Sequence, residues 1–447
     1  MTSRTLAWLA LAALSLTLAL RLSDHMRSAE LDTLEREQAA YQHVRETILQ
    51  HYVREVEERK LFYAAMDGMA SSLDPHSRFL PPEAYEALRT STTGQFEGVG
   101  LELNPDVNLG LVVLTPLLGT PAFRGGVLPG DRILKIDGVP TEGLSREECS
   151  RRIRGPVDTQ VRLALLHEGQ TQPVEVTLTR AINEIKSVPA AELLGPDLVP
   201  PALRSGRAEP AARIGFVELG PFQQKTGTDL KAALARLDKE GMQALVLDLR
   251  QNPGGLLEAA EQVADLFLKD GLIVSVITRA AAGGQGPANV RYASGQGKYT
   301  DCPLAVLVDS QSASASEVVA GALQDRKRAV LVGDKTYGKF SVQDIFRVPM
   351  GAWSESALKL TIAHYKTPAN PCVDGHGIVP DFTVPFTQEQ LRGLFRSRLA
   401  RHLKDNNPRP GQPSPPATGA GEGQEEPFVD LQLKKAVEVL LTQLQAR

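Results

Sequence analysis

The sequence predicts an α/β protein in which a helical N-terminal arm and a small β-rich domain precede the main α/β domain. Three patterns predict it: a helical apolar period amid dense charge over residues 29–69, short strand-like runs over residues 96–180, and alternating strand and helix signals from about residue 212 to 385. The length of 447 residues fits two or three domains, and 42% apolar with 23% charged residues is typical of globular proteins.

Charge and cysteine content exclude some classes of function. The chain has 49 basic and 53 acidic side chains, a net charge of -4 and no basic block, so we do not expect nucleic acid as a partner. Its three cysteines, Cys149, Cys302 and Cys372, are far apart and odd in number. They predict neither a disulfide framework nor a zinc site.

The N-terminus indicates export. Residues 6–20 form an uncharged Leu/Ala-rich run between Arg4 and Arg21. As a helix this run would be about 22 Å long, shorter than the ~30 Å hydrocarbon core, which favours a signal peptide over a membrane span. No small-x-small cleavage site follows, so retention as a short membrane anchor stays open, as does a buried helix. We expect residues 1–26 to be a signal peptide or anchor, and the protein to act in the periplasm or at the outer face of the cell membrane.

The helical arm is predicted within residues 27–95. Its apolar stripe consists of Leu31, Leu34, Val44, Ile48, Tyr52 and Val56. The segment Leu73-Asp74-Pro75-His76-Ser77 ends the pattern, because a proline keeps the preceding residue out of the helical region. We expect a turn there, with His76 more typical of a turn residue than of a ligand or a base.

Residues 96–182 predict the β-rich domain. Strands are expected at Leu111–Leu114, Ile133–Ile136 and Val161–Leu165, with Gly, Pro and Asp between them. One helix is expected at Ser145–Ile153, where Ser145 is the N-cap and Glu148 its capping-box partner.

A glycine-containing loop opens this domain at Gly98, Val99, Gly100 and Leu101. Consecutive loop N–H groups can capture a terminal carboxylate while the edge of the following strand pairs with the peptide. Together with the later Pro129-Gly130-Asp131 segment and the helix, the loop predicts a site for peptide C-termini.

The α/β domain is predicted within residues 183–388, after a Pro/Ala/Gly-rich linker at Pro189–Ala212. Its units are listed in order: strand Ala244–Leu249 with helix Leu256–Leu268, strand Leu304–Val308 with helix Ala315–Gln324, and strand Ala329–Val332. Residues 389–447 are expected to be a flexible tail, ending in an amphipathic helix at Asp430–Gln445. That helix either dimerises or packs on its own domain.

Ser314 is the candidate nucleophile, because the segment Asp309–Glu317 joins a predicted strand to a predicted helix. Enzymes with α/β folds tend to expose a nucleophile at such a turn. The last four residues of this segment, Ser314-Ala315-Ser316-Glu317, also fit a capping box, which is a purely structural motif. Taken alone, the segment leaves both interpretations open.

A nucleophilic serine needs a base. His364 lies in an alternating run and His376 in a turn, and either is more typical of a solvated or structural histidine than of a triad member. Lys339 lies among small and apolar residues, where burial can bring a lysine pKa from ~10.4 towards ~7 to 8. Most lysines in turns are solvated, so this residue alone is not diagnostic either.

Two glycine motifs remain. Gly333, Gly338 and Lys339 fit a phosphate-binding pattern, but Phe340 stands where a hydroxyl should reach magnesium, so a nucleotide site is not expected. The segment Asp248–Gly255 is a strand-to-helix turn whose N–H groups can form an oxyanion hole, although the segment taken alone is more typical of an ordinary turn.

Taken in order, these segments resemble the C-terminal processing peptidases, also called tail-specific proteases, from about Leu34 to Pro385. The resemblance rests on Leu73–Ser77, the β-rich segments, Asp248–Gly255, Ser312–Glu317, Gly338-Lys339 and Gly375–Asp381. It implies a crotonase-like α/β peptidase domain with a PDZ domain upstream of its catalytic residues, which binds unstructured C-termini of protein or peptide substrates and can gate the active site. It implies no metal, nucleotide or other cofactor, and leaves a homo-oligomer open.

The resemblance also implies roles for single residues. Ser314 is the nucleophile, Lys339 is the general base and Gln343 orients the lysine, while the amides of Gly254, Gly255 and Ala315 form the oxyanion hole.

Two departures accompany the resemblance. Such families carry a small residue after the base lysine, so Phe340 would be strained if a positive φ were needed there. The stretch from Ala190 to Ala212 is also longer than we expect before the first peptidase strand.

Lys339 and Gln343 are four positions apart, ~13 Å in an extended strand, so their contact predicts a helical or tightly turned backbone between them.

The alternatives to an active endopeptidase are a silent PDZ scaffold and a Ser-Lys hydrolase of small esters or amides.

Overall fold

The structure is a computed structural model that describes residues 33–104, 110–167, 169–195, 212–283, 289–349, 355–369, 375–406 and 428–447. It divides into two compact units, Met1–Pro81 with Ile345–Leu360, and Pro82–Asp344 with Thr361–Arg447. The predicted export segment at residues 6–20 lies outside the described residues, so its prediction stands as it was. Among the residues described, no helix is long and apolar enough to cross a membrane.

The N-terminal part of the smaller unit contains two helices and a short strand: α1 at residues 33–51, α2 at Glu58–Ser71 and β1 at Arg78–Leu80. The single helical run predicted over 29–69 is therefore broken at 52–57. Its expected apolar stripe is also largely exposed, since Leu34, Val44 and Tyr52 are 50–60% accessible. The turn predicted at Asp74 is confirmed, because its carboxylate accepts the N–H groups of His76 and Ser77 at 2.7 and 2.9 Å.

The larger unit begins with a helix and the β-rich region. The elements in order are α3 Pro82–Thr93, β2 Gln95–Gly98, β3 Leu101–Leu103, β4 Val113–Pro116, α4 Pro121–Arg124, β5 Arg132–Ile136, β6 Val139–Pro140, α5 Arg146–Ile153, β7 Gln160–Leu166, β8 Val174–Thr179 and β9 Ala181–Glu184. Strands β6-β5-β7-β8 form one sheet, and β3-β4 and β2-β9 form two ribbons. Ser145 caps α5 as predicted, but Glu148 forms salt bridges to Arg151 and Arg152.

The α/β region follows. Its elements are β10 Ala190–Leu193, β11 Ile214–Glu218, α6 Thr226–Lys239, β12 Ala244–Asp248, α7 Leu257–Asp265, β13 Leu272–Thr278, α8 Arg279–Ala282, β14 Asn289–Tyr292, β15 Leu304–Val308, α9 Ala315–Asp325, β16 Val330–Gly333, β17 Ser341–Val348, β18 Ser356–Lys366 and β19 Phe382–Thr383. The central sheet has the order β10-β11-β12-β15-β16-β19, parallel except for β10. The predicted strand and helix units are confirmed, within a few residues at their ends. The predicted linker is wrong at 190–193, which is strand β10.

Two helices close the chain, α10 at Gln388–Asp405 and α11 at Leu431–Gln445. The first was not predicted, because residues 389–405 were expected to belong to a flexible tail. The second was predicted, with Asp430 as its N-cap. Leu433, Val437 and Leu440 are buried against strands of the central sheet, so α11 packs on its own domain. The opposite face of that sheet carries the larger core, with α6, α7 and α9.

Candidate active site

Ser314 stands at the junction of β15 and α9 in an unusual backbone conformation. Its φ of 55° and ψ of -117° lie outside the regions that residues with a side chain prefer. Such strain persists only where the surroundings hold it, and a serine on a strained strand-to-helix turn is the geometry of a nucleophile elbow. The backbone at Ser314 therefore separates it from an ordinary helix cap.

Its two neighbouring serines have structural roles. The Ser312 hydroxyl donates to the Leu249 carbonyl at 2.8 Å, and the Ser316 hydroxyl donates to the Asn252 carbonyl at 2.9 Å. Both residues are fully buried, whereas Ser314 is partly accessible. Of the three, Ser314 is the one that a substrate can reach.

The buried carboxylate of Glu317 connects this turn to the loop that carries Lys339. Oε2 accepts the backbone N–H of Ser314 at 2.9 Å and that of Lys339 at 2.8 Å. Oε1 accepts the Gly338 N–H at 2.7 Å and the Thr336 hydroxyl at 2.6 Å. Burial raises the pKa of Glu317, while the four hydrogen bonds act in the opposite direction. One oxygen atom thus joins the backbones of the two candidate catalytic residues.

Tyr365 provides a second link between them. Its hydroxyl lies 2.8 Å from the Ser314 carbonyl oxygen and also contacts the Lys339 carbonyl oxygen. Tyr365 and Thr336 were not predicted as site residues, because both belong to runs of sequence that carry no catalytic pattern. Glu317 was predicted only as a capping partner.

The side-chain nitrogen of Lys339 contacts the predicted partner. Nζ lies 2.6 Å from Gln343 Oε1 and 3.3 Å from the Ser341 carbonyl oxygen. Gln343 Nε2 donates to the hydroxyls of Ser341 and Thr361, both at 3.0 Å, which turns Oε1 towards the lysine. The expected compact backbone is wrong, since β17 begins at Ser341 and no helix or turn intervenes. The length of the two side chains makes the contact instead.

Phe340 is fully buried in the main core, where its ring packs edge-on against Tyr365 at 5.1 Å between centroids. The described non-glycine residues with positive φ do not include it. The strain expected at this position therefore does not arise. Phe340 instead packs against the ring of the tyrosine that contacts Ser314.

The Asp248–Gly255 turn passes directly beside Ser314. Gly254 has φ of 95°, and a Cβ there would lie 2.8 Å from Ser314 Cβ, so only glycine fits. Its N–H already donates to Asn252 Oδ1 at 3.0 Å. Among the described residues, the hydrogen bonds leave the Gly255 and Ala315 amides without an acceptor. Of the three predicted oxyanion donors, these two are available.

A buried ion cluster supports that turn. Arg250 is 2% exposed and binds Asp248 of β12 and Asp430 at the start of α11. Arg398 of α10 adds a bond to Asp248 at 2.9 Å. Burial alone would raise the pKa of Asp248, but the two guanidinium groups outweigh it and hold the pKa at about 2. The sequence analysis named Asp248 and Arg250 only as part of a turn.

The alternative candidates lie apart from this arrangement. His364 and His376 are exposed, and no hydrogen bond described here joins either to Ser314. The phosphate-binding interpretation fails, because the Gly338 amide binds a carboxylate. The glycine loop Gly98–Leu101 lines a separate cavity together with α5 and α10.

Comparison with known proteins identifies the family of this chain. The model of peptidase family S41 matches residues 213–384, and that of the PDZ domain matches residues 112–166. The chain is 40% identical to a carboxyl-terminal-processing protease of Synechocystis sp. over 334 residues, covering 74% of this chain and 73% of that protein. It is 37% identical to a carboxy-terminal-processing protease of Bartonella bacilliformis, covering 88% and 86%.

A solved structure, the photosystem II D1 C-terminal processing protease, is 34% identical with a TM-score of 0.44, covering 76% of this chain and 86% of that one. The extent and identity of the sequence matches decide the assignment. The chain belongs to peptidase family S41, as a serine protease of the carboxyl-terminal-processing group with a PDZ domain.

Proposed function

We propose that the protein is an exported endopeptidase that cleaves proteins through a Ser314-Lys339 acyl-enzyme mechanism and binds their unstructured C-terminal tails with its PDZ domain. The observation that carries this proposal is the shared carboxylate oxygen of Glu317, bonded to the backbone of both residues. Because both backbones are hydrogen-bonded to the same buried oxygen atom, the two residues are held in a fixed position relative to each other.

In the proposed reaction, neutral Lys339 accepts the Ser314 hydroxyl proton as Oγ attacks the peptide carbonyl carbon. Lys339 then passes that proton to the leaving amine as the peptide bond breaks, and water hydrolyses the ester. Gln343 Oε1 and the Ser341 carbonyl oxygen both lie within hydrogen-bond distance of Lys339 Nζ, so each can accept an N–H group of the amine. Gln343 thereby orients the base without adding a negative charge that would hold the proton on it.

The oxyanion hole is proposed at the Ala315 and Gly255 amides, with Gly254 providing the close approach. Two backbone N–H groups directed at the developing charge are the usual arrangement for acyl transfer. Because Ala315 opens helix α9, the positive end of the helix dipole adds to the stabilisation.

We further propose a crotonase-like fold for the peptidase domain and the predicted boundaries 27–95, 96–182 and 183–388, with a signal peptide or membrane anchor at 1–26. The parallel order β11-β12-β15-β16 supports the fold, and the wholly buried strands β12 and β15 fit it. The tail proposed at 389–447 includes helix α10, as described above.

The test is degradation of an unfolded protein such as reduced casein by the full chain, compared with Ser314→Ala and Lys339→Ala. We expect both variants to lose at least ~1,000-fold in rate, the scale of removing a nucleophile or its base. The matched control is Ser310→Ala, an exposed serine of the same turn. Equal cleavage by wild type and both variants would refute the dyad. Binding without cleavage by the wild type would instead favour a PDZ scaffold.

A further inference from the structure

A cavity of about 630 Å³ opens beside the glycine loop of the PDZ domain. One side is formed by Gly98–Leu103 and the end of α5, and the facing side by Phe395, Leu399 and His402 of α10. Helix α10 lies outside both family matches, which end at residues 166 and 384. The comparisons therefore assign this wall no role.

The α10 side of the cavity is one continuous face of the helix. Phe395, Leu399, His402 and Asn406 recur at three- and four-residue intervals, which places them on one stripe. Phe395 is 48% exposed, whereas Leu394 and Leu403, on other faces, are 4% and 6% exposed. An aromatic side chain left half-exposed inside a cavity offers apolar contact area to a ligand.

Hydrogen bonds fix this stripe to the PDZ domain. His402 Nε2 lies 2.8 Å from Glu102 Oε2 on β3, and Asn406 Oδ1 accepts the Leu118 N–H at 2.6 Å. The wall is therefore held at the groove by one contact to β3 and one to the segment that follows β4.

Strand β3 presents an edge that a peptide can extend. Among the described strands β3 pairs with β4 alone, and its Leu103 carbonyl faces Arg146 of α5 at 2.9 Å. The open edge thus lies between β3 and α5. Leu101 and Leu103 pack on the core of the domain, whereas Glu102 points to α10. Residues opposite each other on paired strands direct their side chains to the same face.

We propose that α10 is the second wall of the tail-binding groove and selects the penultimate residue of the substrate. This rests on the proposed function, in which the tail adds as a strand to β3 with its carboxylate at the Gly98–Leu101 amides. The terminal side chain then faces the domain core, and the penultimate one, beside Glu102, faces Phe395 and Leu399.

The favoured occupant is an extended tail with a large apolar penultimate side chain. The cations of α10 near the cavity are already paired, Arg398 with Asp248 and Glu218 and Arg401 with Glu218. What the wall offers to that side chain is therefore apolar surface. Acidic tails gain no new ion pair from Arg398 or Arg401.

The test measures binding to the full chain carrying Ser314→Ala, which keeps peptides intact. The probes are fluorescent nonapeptides ending in Leu-Ala or Ser-Ala, each as a free acid and as a carboxamide. We expect the Leu-Ala acid to bind about tenfold more tightly than the Ser-Ala acid, since tenfold corresponds to about 1.4 kcal/mol, the scale of partly burying a leucine. Adding Phe395→Ala should weaken only the Leu-Ala peptide, by most of that factor.

Phe395→Leu should retain more than half of the tenfold ratio between the affinities for the Leu-Ala and Ser-Ala acids. Ser397→Ala, at an exposed position of α10, should leave the affinity for both peptides unchanged. If Phe395→Ala weakens the binding of both peptides equally, or weakens the binding of neither, the role of α10 is overturned while tail recognition stays intact. Carboxamides that bind as well as acids would overturn tail recognition itself, and the inference with it. The same Phe395 variants are also assayed for casein cleavage with Ser314 in place. Cleavage at the wild-type rate shows that the catalytic dyad is intact, whatever the peptides do.

Discussion

Replacing Asp430 by alanine should destabilise the fold by about 3–4 kcal/mol, because it leaves the buried guanidinium of Arg250 without one of its two carboxylates. The Arg250 side chain is 1% exposed and that of Asp430 is 12% exposed. Their contact is bidentate, with Nη1–Oδ1 at 3.0 Å and Nη2–Oδ2 at 2.8 Å. This pair joins the C-terminal helix to the turn beside Ser314.

The magnitude follows from what remains after the substitution. Removing one partner of a fully buried pair costs about 3–5 kcal/mol. Arg250 keeps its bonds to Asp248, at 2.9 and 2.7 Å, and one to Gln432 at 3.1 Å, which lowers the charge contribution to about 2–3 kcal/mol. Asp430 also caps α11 by accepting the Leu433 N–H at 2.9 Å, and losing a cap costs about 1 kcal/mol.

Asp430→Asn separates the two contributions, since asparagine caps a helix as well as aspartate but carries no charge. We expect a loss of about 2–3 kcal/mol for the asparagine variant, and about 1 kcal/mol more for alanine. Urea unfolding of the full chain measures both, with an unchanged m-value as the check that the unfolded state is the same. An asparagine variant within about 0.5 kcal/mol of wild type would refute the assignment of the ion pair.

Three further predictions concern the site and its surroundings. Glu317→Gln replaces one oxygen that accepts two N–H groups by a donor, so kcat should fall at least ~100-fold with KM little changed, as steady-state kinetics will show. Gln343→Glu places a charge beside Lys339 that favours its protonated form, so the acid limb of the kcat/KM profile should move to higher pH. Hydrogen bonding to Glu102 raises the pKa of His402, so this contact stabilises the fold below pH ~6.5 and is lost as pH rises through the folded-state pKa; His402→Gln should abolish that dependence in pH-resolved melting.

The buried strands were predictable because a short, continuous apolar run between turn signals is typical of a buried strand. Residues Ala244–Asp248 and Leu304–Val308 are wholly buried and nearly all apolar, which is the signature of central parallel strands. Helix α10 was not predictable in the same way. Its sequence is rich in arginine, and Arg398 and Arg401 bind buried or half-buried carboxylates that lie 150 and 183 residues away in the chain. A search for apolar periodicity takes such charged residues to be exposed to solvent. The helix was therefore predicted as part of the flexible tail.

The N-terminal arm shows the opposite error. The apolar period predicts helix over 29–69, and residues 33–51 and 58–69 are helical, but Leu34, Val44 and Tyr52 are exposed in the structure. Periodicity reports a helical face and does not identify what that face packs against. The Lys339–Gln343 contact was predictable as a pair but not in its geometry, because the estimate was made on backbone spacing and the side chains supply the reach.

The two interpretations of Ser314-Ala315-Ser316-Glu317 exclude each other in sequence but not in structure. As a capping box, Glu317 accepts the Ser314 N–H; as part of the site, the same oxygen accepts the Lys339 N–H. A carboxylate has about four lone-pair positions, and the cap uses only one. The remaining acceptors bind the Gly338 amide and the Thr336 hydroxyl as well as the lysine loop. Because the cap and the loop share one buried group, the strained conformation of Ser314 and the position of Lys339 depend on each other. A change in either should therefore alter the other, and the structural motif is the means by which the proposed catalytic pair is assembled.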